Sequence, residues 1–142
     1  MITREADYGL RTILFLSSKW PDGFPVAANV LAEEMDIPYR FLRRIVTKLA
    51  VAGFISSERG RNGGICLARP PADISLLEVL ASIDRKSICL NMCLSDQENA
   101  GCDRHMTCPV HREMGALQKH MIQKLDDIKF SALISADSPA GC

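Results

Sequence analysis

Two stripes on one short stretch of chain limit the fold more than anything else in the sequence. Leu42, Ile45, Val46 and Leu49 recur at i, i+3, i+4 and i+7, the spacing of a helix that buries one face. Arg40, Arg43, Arg44 and Thr47 repeat that interval two residues earlier, about 200° round a helix of about 3.6 residues per turn. A helix with a core face and an opposed cationic face must lie on a globular body and turn its arginines outward.

The flanking sequence supplies that body. Thr3 is placed to cap a helix carrying Ala6, Leu10, Ile13, Leu14 and Ser17 at helical spacing, and Trp20-Pro21-Asp22-Gly23 ends it as a turn. A second helix is expected from near Pro25, with Ala27, Val30, Leu31 and Met35 on one face. Asp36-Ile37-Pro38 is a tight connection, and Pro38 suits the first turn of the arginine-bearing helix. Gly53 then stops that helix. Residues 54–58 and 65–69 read as two strands, joined by the turn Arg59-Gly60-Arg61-Asn62-Gly63-Gly64. A helix, a helix–tight turn–helix and a two-stranded hairpin form the order of a winged helix-turn-helix.

The charge distribution agrees. The 142 residues carry no net charge, yet residues 38–69 alone sum to +6, from Arg40, Arg43, Arg44, Lys48, Arg59, Arg61 and Arg69 against Glu58. The segments on either side each sum to −3. A neutral chain with one basic block has a directed positive face. At 47% hydrophobic and 24% charged residues, the composition is that of an ordinary globular protein. Its apolar runs are too short to span a membrane. No signal-like leader precedes the first helix, so the chain is expected to be cytoplasmic.

Beyond the hairpin, Ser75 and Glu78 make a capping box for a short helix through Ser82. Residues 84–108 lack periodicity. A long helix is expected from Pro109, with Val110, Met114, Leu117, Met121, Leu125 and Ile128 along one side at intervals close to a coiled-coil seam. With little domain left for that seam to pack on, a homodimer is the expected use of it. The expected fold is therefore mainly α with a small β-hairpin wing. Residues 1–83 form the DNA-binding unit, 84–108 a cysteine-rich loop, 109–134 a dimerisation helix and 135–142 a loose tail.

Six cysteines are many for a chain of this size in a reducing compartment, where metal or redox chemistry is a better account than disulfides. Cys93-x8-Cys102-x5-Cys108-x2-His111 sets three thiols and an imidazole around the start of the last helix. Thiolates are the preferred ligands of iron–sulfur clusters and of zinc, and imidazole can replace one in either. Cys93, Cys102 and Cys108 stand among Asp96, Glu98, Asn99, Asp103 and Arg104, where burial is a poor explanation for a cysteine. Cys66 reads as a small buried hydrophobe of the second strand. Cys89 is either core or a spare ligand, His105 is a reserve ligand, and Cys142 is a tail thiol.

Ile37-Pro38-Tyr39-Arg40-Phe41-Leu42, Ala52-Gly53-Phe54-Ile55-Ser56-Ser57, the Arg59–Gly64 turn and Leu67-Ala68-Arg69 together resemble the bacterial Rrf-type regulators typified by IscR, NsrR, RirA and CymR. Thr3, Asp7-Tyr8-Gly9-Leu10-Arg11 and Ile74-Ser75-Leu76-Leu77-Glu78-Val79 fit as well, so the likeness runs to about residue 130. It implies a homodimer with an N-terminal winged helix-turn-helix. In many members an iron–sulfur cluster sits before the dimerisation helix, while cysteine-poor members have none. The Cys102–His111 segment matches the three-cysteine, one-histidine ligation of a [2Fe–2S] cluster in IscR. The longer first interval is more like RirA-type members, where [4Fe–4S] is usual. The resemblance to NsrR offers Asp7 of a partner subunit as an alternative fourth ligand. His111 is favoured, because a histidine at that spacing is otherwise unexplained.

For double-stranded DNA, the expected contacts are Tyr39, Arg40, Arg43, Arg44 and Thr47 in the major groove and Lys48 on phosphate. Arg59, Arg61, Asn62 and Gly63 of the wing are expected at a narrow minor groove. IscR is acidic at the position of Arg43, so its base preferences do not transfer. The expected function is a transcription regulator, a repressor at a palindromic operator, whose affinity follows an iron–sulfur cluster. The competing readings are a zinc or thiol-switch regulator of the same fold, or a protein-interaction module that does not bind DNA. No nucleophile–base pair, nucleotide loop or Cys-x-x-Cys motif supports an enzyme.

Overall fold

The computed structural model describes residues 2–94, 102–104 and 106–135. Helix α1 spans Arg4–Ser17 and begins where the Thr3 hydroxyl accepts the Ala6 amide at 3.3 Å. Helix α2 (Ala28–Glu34) turns through Asp36 and Ile37 into α3 (Tyr39–Val51), with Pro38 at the N-cap. Gly53 follows with φ +77, a left-handed conformation that glycine adopts without penalty and that ends the helix. Strands β1 (Ile55–Glu58) and β2 (Gly64–Leu67) pair antiparallel, with Ile55 opposite Leu67 and Glu58 opposite Gly64. Val26 joins β2 by exchanging both backbone bonds with Ile65, at 2.9 and 2.8 Å.

The expected stripes set the core. Leu42, Ile45 and Leu49 of α3 are fully buried against Ala6, Ile13 and Leu16 of α1, Leu31 of α2, and Phe54, Ile65 and Leu67 of the hairpin. Leu14 and Val30, expected on buried faces, are instead exposed. The buried side of α1 centres on Ala6, Ile13 and Leu16, and that of α2 on Leu31 and Ala32, so both residues fall on a flank.

Helix α4 (Leu76–Ile83) starts in the expected capping box. Ser75 Oγ accepts the Glu78 amide at 3.2 Å, and the Glu78 carboxylate accepts the Ser75 amide at 2.9 Å. Two 3-10 turns, Arg85–Ile88 and Met92–Leu94, carry the chain towards α5 (Pro109–Asp127).

The C-terminal helix is shorter than expected. It ends at Asp127, Lys129 bridges to Ser75, and a separate helix α6 (Phe130–Ser135) follows. The break lets Phe130 turn into the core, where it is 1% exposed. Backbone bonds from Leu76 to Ile128 and from Phe130 to Ile74, both 3.0 Å, hold it there. The end of the stretch expected to dimerise thus belongs to the core of the DNA-binding unit. The tail expected from 135 lies, after Ser135 itself, outside the described residues, as do His105 and Cys142.

Candidate functional site

The cationic side of α3 is built as its spacing requires. With Leu42, Ile45 and Leu49 inward, Arg40, Arg43, Arg44 and Thr47 are all exposed, and Tyr39 is exposed at the first turn. The Arg40 guanidinium lies 4.9 Å from the centre of the Phe41 ring, which braces it at the start of the helix. Thr47 Oγ1 donates back to the Arg43 carbonyl at 3.0 Å. Arg59, Arg61 and Asn62 are exposed on the turn of the wing. A Cβ at Gly63 would stand 2.3 Å from the Glu58 carbonyl oxygen, so that position keeps glycine for the close return of the turn.

Two members of the basic block face inward. Lys48 Nζ lies 3.0 Å from Glu5 Oε1 of α1 and donates to the Ile83 carbonyl at 2.8 Å. Its place on the edge of the core stripe, beside Ile45 and Leu49, explains this. Glu5 also lies 3.8 Å from Arg44 Nη2. Arg69 packs over the Phe54 ring and bonds Glu78 Oε1 at 3.2 Å as well as the Asp73 carbonyl. Burial pushes the Glu78 carboxyl up, but the Ser75 amide, the Arg69 bond and charge, and the Ser75 hydroxyl outweigh it and hold the group below its ordinary value. Sequence reasoning missed Glu5 altogether. Its only signal was an acid in the first turn of α1, a common helix-start preference.

The cysteine-bearing segment meets α5 at its first turns. Cys93 sits in the Met92–Leu94 turn, and its Sγ lies 3.3 Å from His111 Nδ1. The Leu90 amide donates to Gln118 Oε1 at 3.0 Å, which ties the same segment about two turns further along α5. Cys108 is the N-cap of α5, with Pro109 in the first turn. A cleft of about 350 Å³ opens there, lined by Met106, Thr107, Cys108, Pro109, His111 and Arg112. Cys93, Cys102 and Cys108 are all half-buried.

In chemistry this donor set fits a thiolate- and imidazole-ligated iron centre: soft sulfur, one imidazole, and a helix N-terminus that favours negative charge. Cys93 and His111 are already brought together. Among the described residues, no three of His, Cys, Asp and Glu converge closely enough to hold an ion. Asp7 is paired with Arg11 at 2.9 Å on α1. Cys89 donates to the Asn91 carbonyl at 2.9 Å, and Cys66 Sγ lies 3.0 Å from Ser56 Oγ across the hairpin.

A family model, Rrf2, described as iron-dependent transcriptional regulator, matches residues 2–136. The chain belongs to the Rrf2 family. An rrf2-like HTH-type transcriptional regulator of Rhodobacter capsulatus is 29% identical over 145 residues, covering 99% of this chain and 96% of that protein. Two solved structures share the fold. CymR, the global cysteine regulator of B. subtilis, superposes with a TM-score of 0.72 at 24% identity, over 97% of this chain and 98% of its own. IscR of T. potens gives 0.74 at 21% identity, over 99% and 93%. This Rrf2 protein is thus a DNA-binding transcriptional regulator and not an enzyme. Among its described residues no helix is long and apolar enough to cross a membrane.

Proposed function

We propose that the protein is a homodimeric repressor whose affinity for a palindromic operator is set by an iron–sulfur cluster bound beside α5. Cys93, Cys102, Cys108 and His111 are its ligands in this reading. The observation that carries it is the approach of His111 Nδ1 to Cys93 Sγ at 3.3 Å, across 18 residues of sequence. A histidine that lines an open cleft meets a cysteine from a separate turn, and neither belongs to the buried core. Bound there, a cluster supplies a charge centre sensitive to oxidants, nitric oxide and iron supply.

The same approach favours His111 over the partner's α1 as the source of the fourth ligand, and hence [2Fe–2S] over [4Fe–4S]. Asp7 already has a cation within its own helix.

The dimer reading rests on α5. None of its 19 residues is buried within the chain, and Val110 and Leu117 are 62% and 55% exposed. An amphipathic helix left uncovered in this way is a natural seam for its own copy. Two-fold pairing would present two copies of α3 and the wing to successive major-groove faces, which matches a palindromic site in the cytoplasm.

The test is the visible absorption spectrum of anaerobically purified protein, with iron and sulfide counted per chain. Two irons and two sulfides with broad visible absorption support the reading, and four of each would move the fourth ligand elsewhere. A colourless protein holding zinc, or no metal, would replace the cluster with a structural zinc or a thiol switch.

A further inference from the structure

We infer that Lys48 is a positioning residue that links the recognition helix to the cysteine-bearing segment, and not a phosphate contact. The inference rests on the proposed cluster only for what is transmitted through this link. Its side chain leaves the cationic face and bonds the carbonyl of Ile83, the last residue of α4, at 2.8 Å. A lysine ammonium at that position satisfies an orphan carbonyl at the negative end of the α4 dipole. Glu5 fixes the ammonium from the other side at 3.0 Å and reaches Arg44 at 3.8 Å. One carboxylate therefore lies close to both the half-buried Lys48 and an outward arginine of α3.

The chain beyond Ile83 is the path to the candidate cluster ligands. It enters the Arg85–Ile88 turn, where buried Ser87 meets Thr3, the N-cap of α1, at 3.5 Å. It then reaches Cys93 and its contact with His111. The start of α1, the end of α4 and the second half of α3 thus meet where the cysteine-bearing segment departs. A displacement of that segment pulls on Ile83 and Ser87, and Lys48 and Glu5 carry it to α3. A coupling of this kind needs a contiguous element that both sites bias.

The experiment uses full-length protein, cluster-free and cluster-reconstituted, with an operator duplex selected from a random library. Wild type, Lys48→Met and Glu5→Gln are compared for two readouts. The first is the ratio of operator affinities between cluster-bound and cluster-free forms. The second is the salt slope of the cluster-free form. Wild type should give a ratio within the roughly 5–150-fold span of coupled sites, and both variants a ratio within about twofold of one. Lys48→Met should keep the wild-type salt slope, whereas loss of a phosphate contact lowers it by about 1. Lys48→Arg, which can still reach Glu5, should restore most of the ratio.

A Lys48→Met slope that falls by about one phosphate contact overturns the inference. So does a wild-type ratio that survives in both variants. A purely structural role would weaken both forms equally and leave the ratio in place. If wild type itself shows no ratio, the cluster-switch reading fails and this coupling fails with it. Should Lys48→Met not fold, Glu5→Gln decides by the same ratio.

Discussion

His111 Nδ1 and Cys93 Sγ lie 3.3 Å apart, one on the first turn of α5 and the other in a 3-10 turn reached from α4. The contact joins α5 to the segment that follows α4, and it sets the first prediction. Cys93→Ala, Cys102→Ala and Cys108→Ala should each abolish the visible absorbance of reconstituted protein. His111→Ala should shift the spectrum and shorten the life of the cluster in air. Asp7→Ala should change neither, because Asp7 is spent on Arg11. Loss of the chromophore in Asp7→Ala, with His111→Ala unaffected, would transfer the fourth ligand to the partner's α1.

On the DNA side, Arg40→Ala and Arg43→Ala should each weaken operator binding by about 1–3 kcal/mol and relax base preference at the position contacted. Arg61→Ala in the wing should lower affinity for all duplexes and reduce the salt slope by about 1. Fluorescence anisotropy across a salt series separates the two classes. An Arg43→Ala protein with wild-type discrimination between operator and random duplex would remove Arg43 from the reading face.

The exposed cationic face of α3 was legible in the sequence because helical periodicity fixes direction. Once Leu42, Ile45 and Leu49 face inward, Arg40, Arg44 and Thr47 have nowhere to go but out. The inward partners of Lys48 and Arg69 were not legible in the same way. Net charge counts a side chain without its direction, and both lie at the margin of the core within reach of a carbonyl and a carboxylate. The wing followed from glycines at positions where a side chain would collide with backbone. The break at Ile128 was invisible because Leu125 and Ile128 continue the helical spacing of the stripe along α5. Only the tertiary pairing of Lys129 with Ser75 ends the helix there. The candidate ligands were legible as residue types and intervals. Which ligands meet depended on how the chain returns from α4 to α5.

Phe130 offers a test of that break. Phe130→Ala should lower stability by about 3–5 kcal/mol, the cost of emptying a fully buried aromatic site, even though the residue lies beyond the end of α5. Urea unfolding measures it. A change below about 1 kcal/mol would mean that α6 is not part of the core.

Glu78 sets a pH dependence. Its carboxyl is held below its ordinary value in the folded chain, so it contributes stability at neutral pH that is lost as pH falls through the folded value. Glu78→Gln should therefore be less stable than wild type at pH 7, with the gap closing under acid conditions. Thermal melts at a series of pH values read it directly. A gap that stays constant down to strongly acidic pH would show that the amide replaces the carboxylate only in size, and that the Arg69 and Ser75 contacts do not act through charge.

The central claim, that a cluster held at the start of α5 governs DNA affinity through α3, is tested most directly by one comparison. The affinity of wild-type protein for a selected operator duplex is measured in the cluster-bound and cluster-free states, at one salt concentration and under anaerobic conditions. A ratio of at least about fivefold between the two states is expected, the lower edge of typical coupling between sites. Equal affinities would contradict the account, leaving a DNA-binding Rrf2 protein whose cysteines serve some other purpose.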